Sequence, residues 1–83
     1  MREVTIDDML HYFKCLVHQE TGIEVDKIDI DSTFHQLGLD SISSVYLLEQ
    51  IERHYRIRFT PLYFWDYPTI RSLAIKLHQE NFA

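Results

Sequence analysis

Apolar and polar positions repeat with a helical period along most of the chain. Ile6, Met9, Leu10, Phe13, Leu16 and Val17 fall at i, i+3, i+4, i+7, i+10 and i+11, which puts them on one face of a helix. This predicts a first helix over about 6–21, with Thr5 as N-cap, Asp7 and Asp8 complementing the dipole of the first turn, and Gly22 as a stop. A second helix starts at Asp40 or Ser41 and ends near Tyr55. Pro61 suits a first helical turn, so a brief helix is expected from Pro61 to Trp65. Thr69 then caps a last helix whose stripe is Ile70, Leu73, Ala74 and Leu77. No segment reads as a convincing strand. The fold class is therefore all-α: a bundle of three main helices, with a short helix between the second and the last. The chain reads as a single domain over 1–83, with a core of about 5–79.

Two stretches depart from simple amphipathic patterning. The connection from Gly22 to Asp40 is long and acidic, with Glu24, Asp26, Asp29, Asp31 and Asp40 against Lys27 alone. Its apolar residues, Ile23, Val25, Ile28, Ile30, Phe34, Leu37 and Leu39, are expected to tuck onto the core, with Ser32 capping a short turn. The second helix carries two apolar stripes. Leu47, Leu48, Ile51 and Tyr55 share one face, while Ile42, Val45 and Tyr46, continued by Glu49, lie on roughly the opposite one. Either the long connection folds over this second patch, or the patch is an exposed strip for partner docking.

Composition narrows the function classes. Of the 83 residues, 46% are apolar and 25% charged, as in an ordinary folded domain. Eight Lys and Arg against thirteen Asp and Glu give a formal charge of −5, which disfavours nucleic acid as a partner and suits basic protein surfaces. No apolar run reaches the roughly 20 residues of a membrane span, and the first residues lack the apolar stretch of a signal peptide. A cytoplasmic, monomeric protein is expected, without membrane partners. Its single cysteine, Cys15, excludes an internal disulfide framework and reads as a packing residue at the edge of the first helix's apolar face.

Chemistry concentrates in Gly38-Leu39-Asp40-Ser41-Ile42. Asp40 is a good N-cap, and if it caps, the Ser41 hydroxyl is free at the mouth of a helix N-terminus. A phosphate ester there would meet unpaired N–H groups and the favourable end of the dipole, with Asp40 opposing as a like charge. Gly38 lets the incoming chain turn. By itself an Asp-Ser pair before an apolar helix is also a common cap and nothing more.

The wider pattern adds to this. Asp31-Ser32-Thr33-Phe34 followed by Leu37-Gly38-Leu39-Asp40-Ser41-Ile42, and then Tyr67-Pro68-Thr69-Ile70 with Leu73-Ala74, resembles the acyl and peptidyl carrier proteins over about 6–77. The resemblance implies a four-helix carrier fold. It also implies a 4′-phosphopantetheine arm, covalently attached to Ser41 from coenzyme A by a phosphopantetheinyl transferase. Gly38, Leu39, Asp40 and Ile42 then flank the site, with Asp40 also contacting the transferase. The arm would carry acyl groups as thioesters, and the protein would catalyse nothing itself. Partners would be an acyl-loading enzyme, a ketosynthase or other biosynthetic enzymes, meeting Ile42, Val45, Tyr46 and Glu49. Tyr67-Pro68-Thr69-Ile70 is more similar to carriers of polyketide synthases than to the fatty-acid carrier, whose second helix is strongly acidic. Here Glu49 and Glu52 are offset by Arg53. A peptidyl carrier of a nonribosomal synthetase or a fatty-acid carrier is the alternative. Met1 suits a free-standing carrier, and an excised domain would look the same.

The remaining constellations have plainer readings. His11, His18, His35, His54 and His78 lack the spacing of a zinc site and read as solvated surface residues, so no metal is expected. Ser41 lacks the second glycine of a Gly-x-Ser-x-Gly elbow, so no catalytic residue is assigned. Arg53, Arg56 and Arg58 either complement the end of the second helix or meet an acidic partner. Tyr63, Phe64, Trp65 and Tyr67 should be mostly core, or in part line a cleft for an acyl chain. From other classes, an unmodified helical interaction module would be indifferent to Ser41→Ala. A serine enzyme would label with a fluorophosphonate.

Overall fold

The computed structural model describes residues 3–83. Four α-helices form: α1 (Ile6–Thr21), α2 (Ser41–Tyr55), α3 (Tyr63–Asp66) and α4 (Ile70–Asn81). Among the described residues the extended pairing is a single isolated bridge between Thr33 and Thr69, so the all-α expectation holds.

The helix ends follow from local chemistry. Thr5 and Asp8 form a capping box: the Thr5 hydroxyl accepts from the Asp8 N–H at 3.0 Å, and the Asp8 carboxylate accepts from the Thr5 N–H at 3.4 Å. At the other end of α1, Gly22 takes φ 79° and donates its N–H to the His18 carbonyl. Thr69 and Ser72 make the equivalent box at the start of α4. α2 ends differently. Arg56 adopts φ 57°, the one left-handed non-glycine among the described residues, and the N–H groups of Arg56 and Ile57 both converge on the Glu52 carbonyl. The Glu52 carboxylate then accepts the N–H of Phe59 at 2.9 Å, fixing the exit of the chain.

α1 packs chiefly along α4 and also against α2. Met9, Phe13, Leu16 and Val17 of α1 meet Leu47 and Ile51 of α2 and Ile70, Leu73, Ala74 and Leu77 of α4 in one core. The connection 22–40 contributes Ile28, Phe34, Leu37 and Leu39 to that core, with Ile23 and Ile30 packed against it, while Val25, in a surface turn, stays outside it. It is built from short local units. A 3₁₀ turn spans Val25–Lys27. The Asp29 carboxylate accepts from the Asp31 N–H and the Ser32 hydroxyl. Thr33 and Gln36 then form a capping box around a single helical turn. Ser32 is therefore not the cap of that turn; its hydroxyl is engaged upstream by Asp29, and Thr33 takes the position three residues before a glutamine that reciprocal capping requires.

The connection is also sewn to the beginning of α4. The Phe34 N–H donates to the Pro68 carbonyl at 2.9 Å, and the Arg71 N–H donates to the Ile30 carbonyl at 3.0 Å. The Arg71 guanidinium grips the Asp31 carboxylate through Nε and Nη2 at 2.7 and 3.0 Å. An N–H of the first turn of α4, which has no partner within its helix, is thus satisfied by the loop.

α3 begins two residues later than its proline suggests, over Tyr63–Asp66, after a tight turn from Thr60. The aromatic run is only partly core. Tyr63, Phe64 and Tyr67 are half-buried, with Phe64 edge-on to Phe34 at 5.1 Å, while Trp65 is 82% exposed. A helix of one turn points its side chains in every direction, so it cannot bury them all. The histidines lie at the surface as expected, all exposed but the half-buried His78, and several also make contacts there. His78 bonds the Val4 carbonyl at 2.9 Å, His18 bonds the Ile23 carbonyl at 2.8 Å, and His54 stacks on Tyr12 at 3.9 Å. Cys15 is half-buried, as expected, with Sγ 3.6 Å from His11 Nε2.

Candidate functional site at the start of α2

The single turn begun by Thr33 ends in a left-handed residue. The Leu39 N–H reaches back to the Phe34 carbonyl at 3.0 Å, and the Gly38 N–H to the His35 carbonyl at 3.0 Å. This is a Schellman ending, and its C′ position needs a positive φ, which Gly38 supplies at 97°. Leu39 follows at the position that packs back on the turn, and both Leu39 and Phe34 are buried. The chain is thereby aimed into α2 with Asp40 at its N-cap. Asp40 Oδ1 accepts from the Ser43 N–H at 2.8 Å. That bond holds the fully exposed Asp40 carboxyl below the usual carboxylate range, because it favours the charged form.

With the cap filled by Asp40, Ser41 occupies the first position of α2 and is exposed. Its hydroxyl stands at the positive end of a 15-residue helix. The next turns of the same face lie open. Ile42 is 82% exposed, Val45 46% and Tyr46 45%, with Glu49 exposed beyond them. The connection 22–40 does not cover this strip; it spends its apolar residues on the core beneath. Leu47, Leu48 and Ile51, on the opposite face, are buried as their spacing predicts. Among the described residues no group of three or more His, Cys, Asp or Glu is placed to hold a metal ion, and no helix is long and apolar enough to cross a membrane.

Residues 11–77 match the family described as the phosphopantetheine attachment site. The chain belongs to that family. Its group is 4′-phosphopantetheine, held covalently, and the exposed Ser41 hydroxyl beside an already satisfied cap is chemically suited to receive it. Among curated proteins, the chain is 36% identical over 58 residues to the polyketide synthase PksL of Bacillus subtilis (strain 168), covering 70% of this chain and 1% of that protein. It is also 36% identical over 61 residues to the non-reducing polyketide synthase nscA of Neosartorya fischeri, covering 74% of this chain and 3% of that one. The chain thus spans a very small part of these relatives. Among solved structures, a free-standing peptidyl carrier protein from Acinetobacter baumannii superposes with a TM-score of 0.83 at 33% identity, covering 90% of this chain and 94% of that one. The HMG-ACPI domain of the CurA module from Lyngbya majuscula does so with a TM-score of 0.83 at 26% identity, covering 96% and 81%. The carrier family and the four-helix carrier fold expected from the motifs are both shown.

Upstream of the Gly38 to Ile42 motif, the capping box of Thr33 with Gln36 was missed in the sequence. A threonine three residues before a glutamine was the signal available for it.

Proposed function

We propose that Ser41 is the attachment point of the 4′-phosphopantetheine arm and that the chain is a non-catalytic acyl carrier domain of polyketide assembly. The observation that carries this reading is the exposed Ser41 hydroxyl at the first position of α2, relieved of capping by Asp40, inside the span that matches the attachment-site family. Asp40 fixes the start of the helix and, staying anionic near neutral pH, offers a charged contact to the transferase. The positive end of the helix dipole favours the phosphodiester charge at Ser41. Gly38, Leu39 and Ile42 set the approach of the chain to the site. When bound, the arm's terminal thiol holds acyl groups as thioesters. Tethering raises the effective concentration of that cargo at each partner active site.

Ile42, Val45, Tyr46 and Glu49 form the face that meets the phosphopantetheinyl transferase, the acyl-loading enzyme and a ketosynthase. The polyketide setting rests on the polyketide synthases among the relatives. Peptidyl carriage is the second reading, favoured by the likeness to a free-standing peptidyl carrier protein. We place the protein in the cytoplasm, where coenzyme A is available, as a monomeric single domain.

The test is intact mass before and after incubation with coenzyme A, magnesium and a transferase of broad specificity. A gain of one phosphopantetheine that is lost in Ser41→Ala is expected. No gain on folded, unmodified protein, or a gain that persists in Ser41→Ala, would overturn the assignment. Loading by an acyl-loading enzyme rather than by an amino-acid-activating enzyme separates the two carrier readings.

A further inference from the structure

The far end of α2 carries a feature that arm attachment does not use. Arg53, Arg56 and Arg58 line a surface concavity together with Ile57, Glu49 and Glu52. All three arginines are exposed. Among the described residues none of them forms an ion pair; the pairs present join Lys27 to Glu24, Arg71 to Asp31 and Lys76 to Glu80. Three of the eight basic residues in a chain of net charge −5 are therefore gathered in one place without an internal partner. Glu49 and Glu52 offset part of that charge without pairing to an arginine, the Glu52 carboxylate being turned to the Phe59 N–H, so the concavity keeps an excess of positive charge.

Backbone geometry supplies a second observation. Arg56 sits at φ 57°, where a Cβ costs roughly 1 kcal/mol and glycine would sit freely. The turn made there brings Arg58 round to the same concavity as Arg53. A large cation is thus held at a position whose local chemistry prefers no side chain, and such an outlier is a sound starting point for a functional hypothesis.

Position supplies a third. At about 100° per residue, Arg53 and Arg56 project from the same side of α2 as Val45 and Glu49, and Glu49 borders the concavity. The open side of α2 is thus apolar next to Ser41 and basic at its other end, about 20 Å along the axis.

We propose that this concavity docks an acidic, carboxylate-bearing segment of a partner protein. Arginine forks match carboxylates in a bidentate manner, and the unpaired guanidinium groups gain partners they lack within the chain. A short acidic segment interacts locally, because charges beyond about 8 Å are screened at physiological salt. A long polyanion such as nucleic acid would extend over the acidic remainder of the surface and be repelled.

The inference goes beyond the Ser41 assignment and stands without it. The test is a titration of the isotopically labelled full chain with a hexaglutamate peptide in about 50 mM salt, followed by amide shifts. Saturable shifts centred on Glu52 to Arg58 are expected, weakened about tenfold in R53Q/R56Q/R58Q. Absence of saturable shifts, or shifts unchanged in the triple variant, would overturn the proposal. Tighter binding of a single-stranded DNA hexamer at the same residues would overturn it in favour of nucleic acid. Amide spectra away from the arginines report whether the variant folds. Phosphopantetheine uptake, measured by mass on the same samples, keeps the two assignments apart: a failed arginine site leaves uptake intact, and a failed Ser41 site leaves the titration unchanged.

Discussion

Asp40 and Arg56 close the two ends of α2 by opposite means, one with a side-chain acceptor and the other with a backbone twist. The Asp40 cap depends on charge. Because the Ser43 N–H lowers the folded-state pKa, its stabilisation is present above the ordinary aspartate range and is lost as pH falls through the lowered folded value. Asp40→Asn keeps an acceptor without the titration, so its melting temperature is expected to fall less between neutral and acid pH than that of the native protein. Thermal melts across that range check this. Arg56 is the converse case. Arg56→Gly removes the left-handed strain, partly offset by the freer unfolded chain, and is expected to stabilise the fold by up to about 1 kcal/mol in urea unfolding. Asp40 was legible in the sequence because capping is a property of a few adjacent residues. The Arg56 twist was not, since nothing in Tyr-Arg-Ile marks a left-handed turn as Tyr-Gly-Ile would have done.

Each of the long helices lies where the apolar period put it, because α1, α2 and α4 are long enough for a stripe to fix both their face and their limits. α3 is too short for that. Its aromatic residues looked like core by type, yet Trp65 points to solvent. Trp65→Ala is accordingly expected to change stability by no more than about 0.5 kcal/mol, with water-like fluorescence from the native tryptophan as the independent check. Phe34→Ala is expected to cost about 3 kcal/mol, because that ring is buried with the core and against Phe64. The open face of α2 separates folding from recognition. Val45→Asp places a charge at a site about half in water, so circular dichroism is expected to stay unchanged and melting nearly so, while the rate of a partner reaction falls severalfold. An unaffected rate with a native partner would remove Val45 from the docking face.

Over the whole molecule, the candidate site joins pieces that are distant in sequence. Gly38 to Ile42 could be read from one short motif, but the support beneath them comes from residues 30–34 bonded to residues 68–71. The pairing of Asp31 with Arg71 spans forty positions, and no local pattern encodes it. Both partners are more than half exposed, so the ion pair is largely screened by solvent; the backbone bonds and Phe34 do more to hold the loop. This stitching has a consequence in time. While the chain is being made, α2 emerges with its serine well before residues 68–71 exist, so the loop has nothing to close upon. The turn before Ser41 is held by its own local bonds, but it is fastened to the rest of the molecule only when the last helix docks, which makes the supported site a late product of folding. The Phe34 and Arg71 amides, in separate elements, are then expected to exchange with solvent in one cooperative opening. An enzyme that reads the loop as well as the helix would thereby modify finished molecules and pass over incomplete ones.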